Sequence, residues 1–253
     1  MTNGTWKVVD CPYGCQPVGC KWMFKKKLRP DGTIEKYKAR LVAKGYTQKE
    51  GEDFIDTYSP VARLTTIRVL LALAASHNLL IHQMDVKTAF LNRDLEEEIY
   101  MEQPDGFAVK GQEGNVCKLL KSLYGLKQAP KQWHKKFDIT MTYAGFVANE
   151  ADRCVYYRYG GGEGVILCLY VDDILILGTS LNVIEEVKNF LSKNFDMKDL
   201  GVADVILNIK LLREGNGGVT LVQSHYVEKV LSRFGYSNCK PISTPYDPSI
   251  ILR

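Results

Sequence analysis

The run Leu169-Tyr170-Val171-Asp172-Asp173-Ile174-Leu175-Ile176 sets two adjacent carboxylates inside an otherwise unbroken apolar stretch. Unpaired acids in the middle of a core strand would each cost on the order of several kcal/mol. The run therefore predicts a hairpin whose flanking strands are buried and whose tip carries the acids towards a site. Asp85 repeats the situation at the end of a predicted strand from Leu79 to Val86. Three acids at strand ends beside an apolar core suit hard divalent cations, because Mg²⁺ takes oxygen ligands. Two such ions roughly 3.5–4 Å apart clamp the attacking and leaving oxygens of an in-line phosphoryl displacement. An Asp pair is equally at home in a plain turn, where each side chain accepts bonds from its own backbone. The residues alone leave both readings open.

The rest of the 253-residue chain narrows the classes. At 45% hydrophobic and 25% charged it has globular composition, fitting one large domain or two small ones closely joined. Its longest apolar runs, Val69 to Ala75 and Val165 to Val171, are seven residues each, far below the roughly 20 that span a bilayer. The amino terminus has no basic stretch followed by an apolar one, so neither a membrane protein nor a signal-bearing secreted one is expected. Seven cysteines, an odd number, point to reduced thiols inside a cell. Cys11, Cys15 and Cys20 provide three thiols with no nearby His and the wrong spacing for zinc.

Charge is unevenly spread although the net charge is only +4. Lys21 to Lys49 holds ten Lys or Arg against Asp31 and Glu35, and Lys118 to Lys136 holds six lysines and no acid. Such stretches suit a polyanion, since phosphate neutralisation supplies most nonspecific nucleic-acid affinity, or form a solvated face. Cys20 to Leu28 and Thr33 to Ala43 flank Arg29-Pro30-Asp31-Gly32, which predicts a basic β-hairpin. Thr65 or Thr66 is expected to cap a helix through Ile67, Leu70, Leu71, Leu73 and Ala74. A helix over Ala129–Tyr143 carries Pro130 in its first turn. Strands are predicted at Cys154–Tyr159, Val165–Val171 and Ile174–Leu177, a helix at Ile184–Phe195, a hairpin of Val205–Leu212 with Val219–Val222, and a last helix at Ser224–Phe234. Helices interleaved with antiparallel hairpins favour an α+β fold. Trp133 reads as core, and His82 and His134 have no ligand spacing.

Tyr170-Val171-Asp172-Asp173 resembles the Y-x-D-D motif of reverse transcriptases. Gln83 to Asn92 (QMDVKTAFLN) is similar to the first carboxylate motif of copia-type LTR retrotransposons. Lys38 to Gly45 (KARLVAKG) and Ser122 to Pro130 (SLYGLKQAP) resemble that family's fingers and template-positioning motifs. The four motifs occur in the family's order and the likeness extends from about Trp6 to Tyr246.

The resemblance implies a right-hand polymerase: fingers with a basic β-hairpin at about 1–80 and 95–135, a ferredoxin-like palm at about 81–94 and 136–211, and a partial thumb at about 212–253. It implies RNA-directed DNA synthesis with two Mg²⁺, replaceable by Mn²⁺, held by Asp85, Asp172, Asp173 and the Val86 carbonyl. Lys38 and Arg40 would grip the triphosphate of an incoming dNTP. Phe90 would lie under the sugar and exclude ribonucleotides. Tyr124, Gly125 and Gln128 would pack on the nascent pair and template, with Pro130 in the helix below. Lys198 would give a proton to departing pyrophosphate. Expected partners are primer on an RNA or DNA template and dNTPs, not a membrane. The expected location is intracellular, in cytoplasmic particles or the nucleus.

The chain departs from the family at Arg93 and Asn208, where Gly is usual. Asn accepts left-handed backbone better than most residues. No protease, integrase or ribonuclease H region is expected in the sequence. A folded but inactive remnant, a nucleic-acid-binding module without catalysis, and a DNA-templated or repair polymerase on the same palm are the competing readings.

Overall fold

The computed structural model describes residues 4–28, 33–92, 95, 97–214 and 218–240. The predicted turn at 29–32 and the departure at Arg93 lie outside them. Two compact units divide between Val202 and Ala203. In chain order the first contains β1 (Trp6–Val9), β2 (Cys20–Leu28), β3 (Ile34–Ala43), α1 (Leu64–Ser76) and β4 (Leu80–Val86). It continues through β5 (Tyr100–Met101), β6 (Val116–Leu119), α2 (Ala129–Tyr143), β7 (Val147–Ala148) and β8 (Val155–Gly160). It ends with β9 (Glu163–Tyr170), β10 (Asp173–Gly178), α3 (Leu181–Asn194) and β11 (Met197–Val202). The mixture of helices with antiparallel strands is the α+β class expected.

A six-stranded antiparallel sheet in the order β11-β4-β10-β9-β8-β7 positions the acids. Alternation along each strand gives it two faces. One carries Tyr156, Leu167, Ile176 and His82 in one cross-strand row, with Leu169, Ile174 and Met84 beside them. Helices α2 and α3 pack here: Phe137 meets the Tyr156 ring at 5.4 Å, and Lys188 of α3 reaches Asp199 of β11. The opposite face carries Asp85, Gln83 and Asp173. Ser180 caps α3 by accepting from the Val183 N–H at 3.3 Å, worth about 1 kcal/mol.

The start of α1 differs from expectation. Neither Thr65 nor Thr66 caps it; the flanking residue is Arg63. Asp152, distant in sequence, accepts from the Arg63 N–H at 3.2 Å and from Thr66 Oγ1 at 2.6 Å. A carboxylate ahead of β8 thus supplies the acceptor, and it also suits the positive end of the helix.

β2 and β3 form the expected hairpin, with Met23 opposite Arg40 and Lys25 opposite Lys38. Lys25, Lys36, Lys38 and Arg40 share one face by alternation, and Trp22, Phe24 and Tyr37 share the other. At its base, Leu41 and Ala43 join a core of Val18, Ile99, Met101, Cys117, Leu119, Leu123 and Leu126. That core also rests on a three-stranded sheet, β1-β6-β5, that the sequence reading did not anticipate.

The second unit holds β12 (Val205–Ile206), β13 (Ile209–Arg213), β14 (Val219–Val222) and α4 (Ser224–Arg233). The predicted single strand over 205–212 is broken at Leu207-Asn208, whose φ values are +49° and +65°. Two successive positive φ values are the signature of a type I′ turn, so β12 and β13 are themselves a hairpin.

Candidate active site

The acids lie at a hairpin tip, one residue out of the expected register. Asp173 belongs to β10 and pairs with Tyr170; the two turn residues are Val171 and Asp172. Val171 has φ +56°, a pattern that normally takes Gly at the first turn position. A β-branched residue there is strained, on the order of 1–3 kcal/mol. The surroundings hold it in place. The Val171 carbonyl accepts from the Trp133 indole at 2.8 Å, and the Asp172 carbonyl accepts from the Val86 N–H at 2.7 Å. Thr88, between Asp85 and Phe90, is a second β-branched residue with positive φ, at +51°.

The register of three strands then makes a transverse row. Asp173 of β10 stands opposite Asp85 of β4, which stands opposite Lys198 of β11. Directly opposed residues share a face, so Lys198 is on the acids' side of the sheet. Strand β11 itself was not predicted.

Electrostatics couple these groups. Burial pushes the Asp172 carboxyl above the ordinary carboxylate range and the charge of Asp85 pushes it further, while Arg40 and Lys38 pull it back. Asp173 is also raised, by burial first and by Asp85, against the hydrogen bond it accepts from Gln83 Nε2 at 3.0 Å. The hairpin cations are therefore within electrostatic reach of the turn. In this conformation, among the described residues, the carboxylates are not drawn into a single metal cage. Their donor chemistry nevertheless fits hard cations: partly buried carboxylate oxygens crowded by like charge, with the proton affinity of Asp172 and Asp173 raised.

The Arg40 guanidinium lies over the Tyr124 ring at 5.2 Å, and Phe90 meets that ring edge-on at 4.7 Å. Burial raises the Tyr124 hydroxyl pKa, with Asp172 adding to it and Arg40 opposing. Arg40, Tyr124, Leu41, Thr88, Leu91 and Trp6 line a cleft of about 260 Å³.

Gly125 and Gln128 are structural parts of this wall. Gly125 has φ +94°, and a Cβ there would run into the Ala43 carbonyl; one on Gly45 would run into Gly125. The two glycines let β3 and the template-motif loop touch backbone to backbone, closed by Ala43 N–H donating to the Tyr124 carbonyl at 2.7 Å. Gln128 is fully buried, with Gln48 Nε2 donating to its Oε1 at 3.2 Å and its own Nε2 donating to the Asp53 carbonyl at 3.1 Å. An amide so enclosed does not face a template, which corrects the expected contact role to one of holding the loop. Gln48 also accepts from the Lys127 N–H at 2.9 Å. Gly45 and Gln48 were missed by sequence reasoning; the pairing of a loop glycine with a nearby Gln carries little signal. Pro130 sits within the first turn of α2, where no donor is lost.

Among the described residues all seven cysteines are free thiols and no helix is long and apolar enough to cross a membrane. The sequence pattern of the family described as "Reverse transcriptase (RNA-dependent DNA polymerase)" matches residues 3–248. The retrovirus-related Pol polyprotein from transposon TNT 1-94 of Nicotiana tabacum is 53% identical over 245 residues, covering 96% of this chain and 18% of that protein. The corresponding polyprotein from transposon RE1 of Arabidopsis thaliana is 40% identical over 248 residues, covering 98% and 17%. This chain thus spans less than a fifth of either relative. Among solved structures, a foamy viral protease-reverse transcriptase in complex with double-stranded DNA aligns over 83% of this chain and 32% of its own, at 14% identity and TM-score 0.37. That likeness is too loose to argue from.

Proposed function

The chain belongs to the reverse transcriptase (RNA-dependent DNA polymerase) family, and from that premise we propose that it extends a primer 3′ end with dNTPs on an RNA template. The observation that carries the reading is the row Asp173–Asp85–Lys198 with Asp172 on the turn beside it, Asp172 lying within the field of Arg40 and Lys38.

Asp85, Asp172, Asp173 and the Val86 carbonyl would hold two Mg²⁺ ions, or Mn²⁺ in their place. When bound, these supply charge neutralisation at the reacting phosphate. The chain's own residues do the rest by positioning. Arg40 and Lys38 receive the triphosphate, Arg through its planar fork; stacking on Tyr124 fixes the guanidinium before substrate arrives. Phe90, braced edge-on by Tyr124, lies beneath the sugar and rejects a 2′-hydroxyl. Lys198 approaches from the strand next to Asp85 and donates a proton to the leaving pyrophosphate. Gly125 and Gln128 keep the Tyr124 wall at its distance from β3. The remaining cationic face of the β2–β3 hairpin, with Lys25 and Lys36, tracks the nucleic-acid backbone. In this reading the fingers would span about 1–80 and 95–135 and the palm about 81–94 and 136–211, and the working location is intracellular, in cytoplasmic particles.

Primer extension by the purified chain on an RNA template, in Mg²⁺ and in Mn²⁺, tests this beside Asp172→Asn. Incorporation is expected from the parent chain, with a loss of roughly 10³-fold or more in the variant and primer–template binding retained or tightened. A folded chain that binds primer–template and incorporates nothing in either metal would reject the activity.

A further inference from the structure

The turn that carries Asp172 is pinned from two sides, and one of the pins comes from a side chain with no assigned role. Trp133 is 2% exposed. Its ring is fixed by Phe195 edge-on at 5.3 Å and by Phe137 at 5.8 Å. Those contacts aim the indole N–H at the Val171 carbonyl, 2.8 Å away. Val171 is the residue in the left-handed region, and its neighbour's carbonyl is taken by Val86, one residue beyond Asp85. The same indole, with Phe90, Pro130 and Val171, lines a small cleft behind the site. A buried indole N–H without an acceptor would be costly, so packing and hydrogen bonding both select this one arrangement.

We propose that Trp133 is a positioning residue: its Nε1–H holds the Val171–Asp172 turn in its strained form, and so fixes where the Asp172 carboxylate stands relative to Asp85. The inference rests on the proposed polymerase reading for its kinetic consequence, but its mechanical core is independent of turnover. An aromatic residue of equal bulk without a donor would leave the packing and free the turn. Once freed, Val171 relaxes towards negative φ and the carboxylate spreads over several positions.

The test uses two replacements in the full chain. Trp133→Phe removes the donor and part of the ring, and replacement of Trp133 by benzothienylalanine removes only the N–H while keeping the bicyclic shape, which guards against a folding failure. Amide hydrogen exchange is read peptide by peptide, alongside kcat and dNTP KM on RNA primer–template. Exchange over 171–174 is expected to quicken by about tenfold, with α2 and β8 unchanged, as one lost hydrogen bond would allow. The kcat is expected to fall by about tenfold with KM held within about twofold. In a Val171→Gly background, where positive φ carries no strain, the same replacements are expected to change exchange by less than about twofold. Unchanged exchange at 171–174 with benzothienylalanine overturns the proposal, as does an increase shared equally by α2 and β8, or a full-sized effect in the Val171→Gly background. If the parent chain incorporates nothing, the polymerase reading fails on that result, while the exchange comparison still decides the role of Trp133.

Discussion

Two groups of carboxylates sit on opposite faces of the same sheet and are treated in opposite ways. On the helix-covered face, Asp199 of β11 is met by Lys188 at 2.9 Å, and Glu185 meets the same ammonium at 3.1 Å. Burial alone would raise the Asp199 pKa, but the Gly201 N–H at 2.8 Å and Lys188 lower it below the ordinary value. On the opposite face, Asp172 and Asp173 have no such ion pair among those described, and burial first and the charge of Asp85 next raise both. The first group is solved as structure: charge is neutralised within the chain. The second is left unsolved, which is what a site for external cations requires. The difference singles out the acids proposed to be functional more surely than burial does, because Asp199 and Asp173 stand on strands of one sheet.

The comparison can be broken at either end. Lys188→Met keeps the stem of a side chain that is 7% exposed and strands two acids. Because Asp199 is about half exposed, the loss is discounted to about 1–3 kcal/mol, read as a fall in Tm with the denaturant slope unchanged. Asp172→Asn acts the other way: relieving repulsion is expected to raise the metal-free Tm by roughly 2–4 °C at pH 7, what about 1 kcal/mol is worth in a chain of this size. A variant that is inactive yet more stable would mark Asp172 as held against the interest of the fold.

The pH dependence has opposite signs at the two places. Asp172 and Asp173, raised in the folded chain, contribute stability that is complete below the ordinary carboxylate pKa and is lost as pH rises through their folded values. Asp199, lowered, contributes stability that is present above the ordinary value and is lost as pH falls through its folded one. Metal-free chain is therefore expected to lose stability as pH rises above the ordinary carboxylate range, about 4, relative to an Asp172→Asn, Asp173→Asn double variant. Melting curves of the two as pH rises check this. The smallest effect belongs to the turn itself: Val171→Gly removes left-handed strain and adds chain entropy, so Tm is expected to move by no more than about 2 °C.

How much of this was legible depends on whether a residue contradicted its surroundings. Asp172-Asp173 inside an apolar run could only be a hairpin tip, and the tip is there. The exact turn was not legible, because alternation favours a turn centred on the two acids. Instead the Trp133 and Val86 hydrogen bonds place Val171 in it, and that decision is tertiary. Lys188 carried a signal that went unread: Ile184, Val187, Lys188 and Leu191 occupy one helical face, so a lysine at that spacing demanded a buried partner. Strand β11 was hidden because Asp196 to Gly201 has no alternation, and a bulge lies between Asp199 and Gly201. Gln128 was assigned to the template by resemblance, whereas the Gln48 and Asp53 groups that enclose it come from a loop some eighty positions away in sequence. Asn208 in left-handed backbone was foreseen; Leu207 beside it was not.

The most direct measurement is the melting temperature of the parent chain and of Asp172→Asn, each titrated with Mg²⁺ at pH 7 in the absence of nucleic acid. The account predicts that the metal-free parent melts below the variant, and that saturating Mg²⁺ raises the parent by about 3 kcal/mol of linkage at a hundredfold excess over Kd while leaving the variant unmoved. A parent that melts above the variant without metal, or a variant that gains as much from Mg²⁺ as the parent, would contradict the claim that these acids are held apart from the fold for cations.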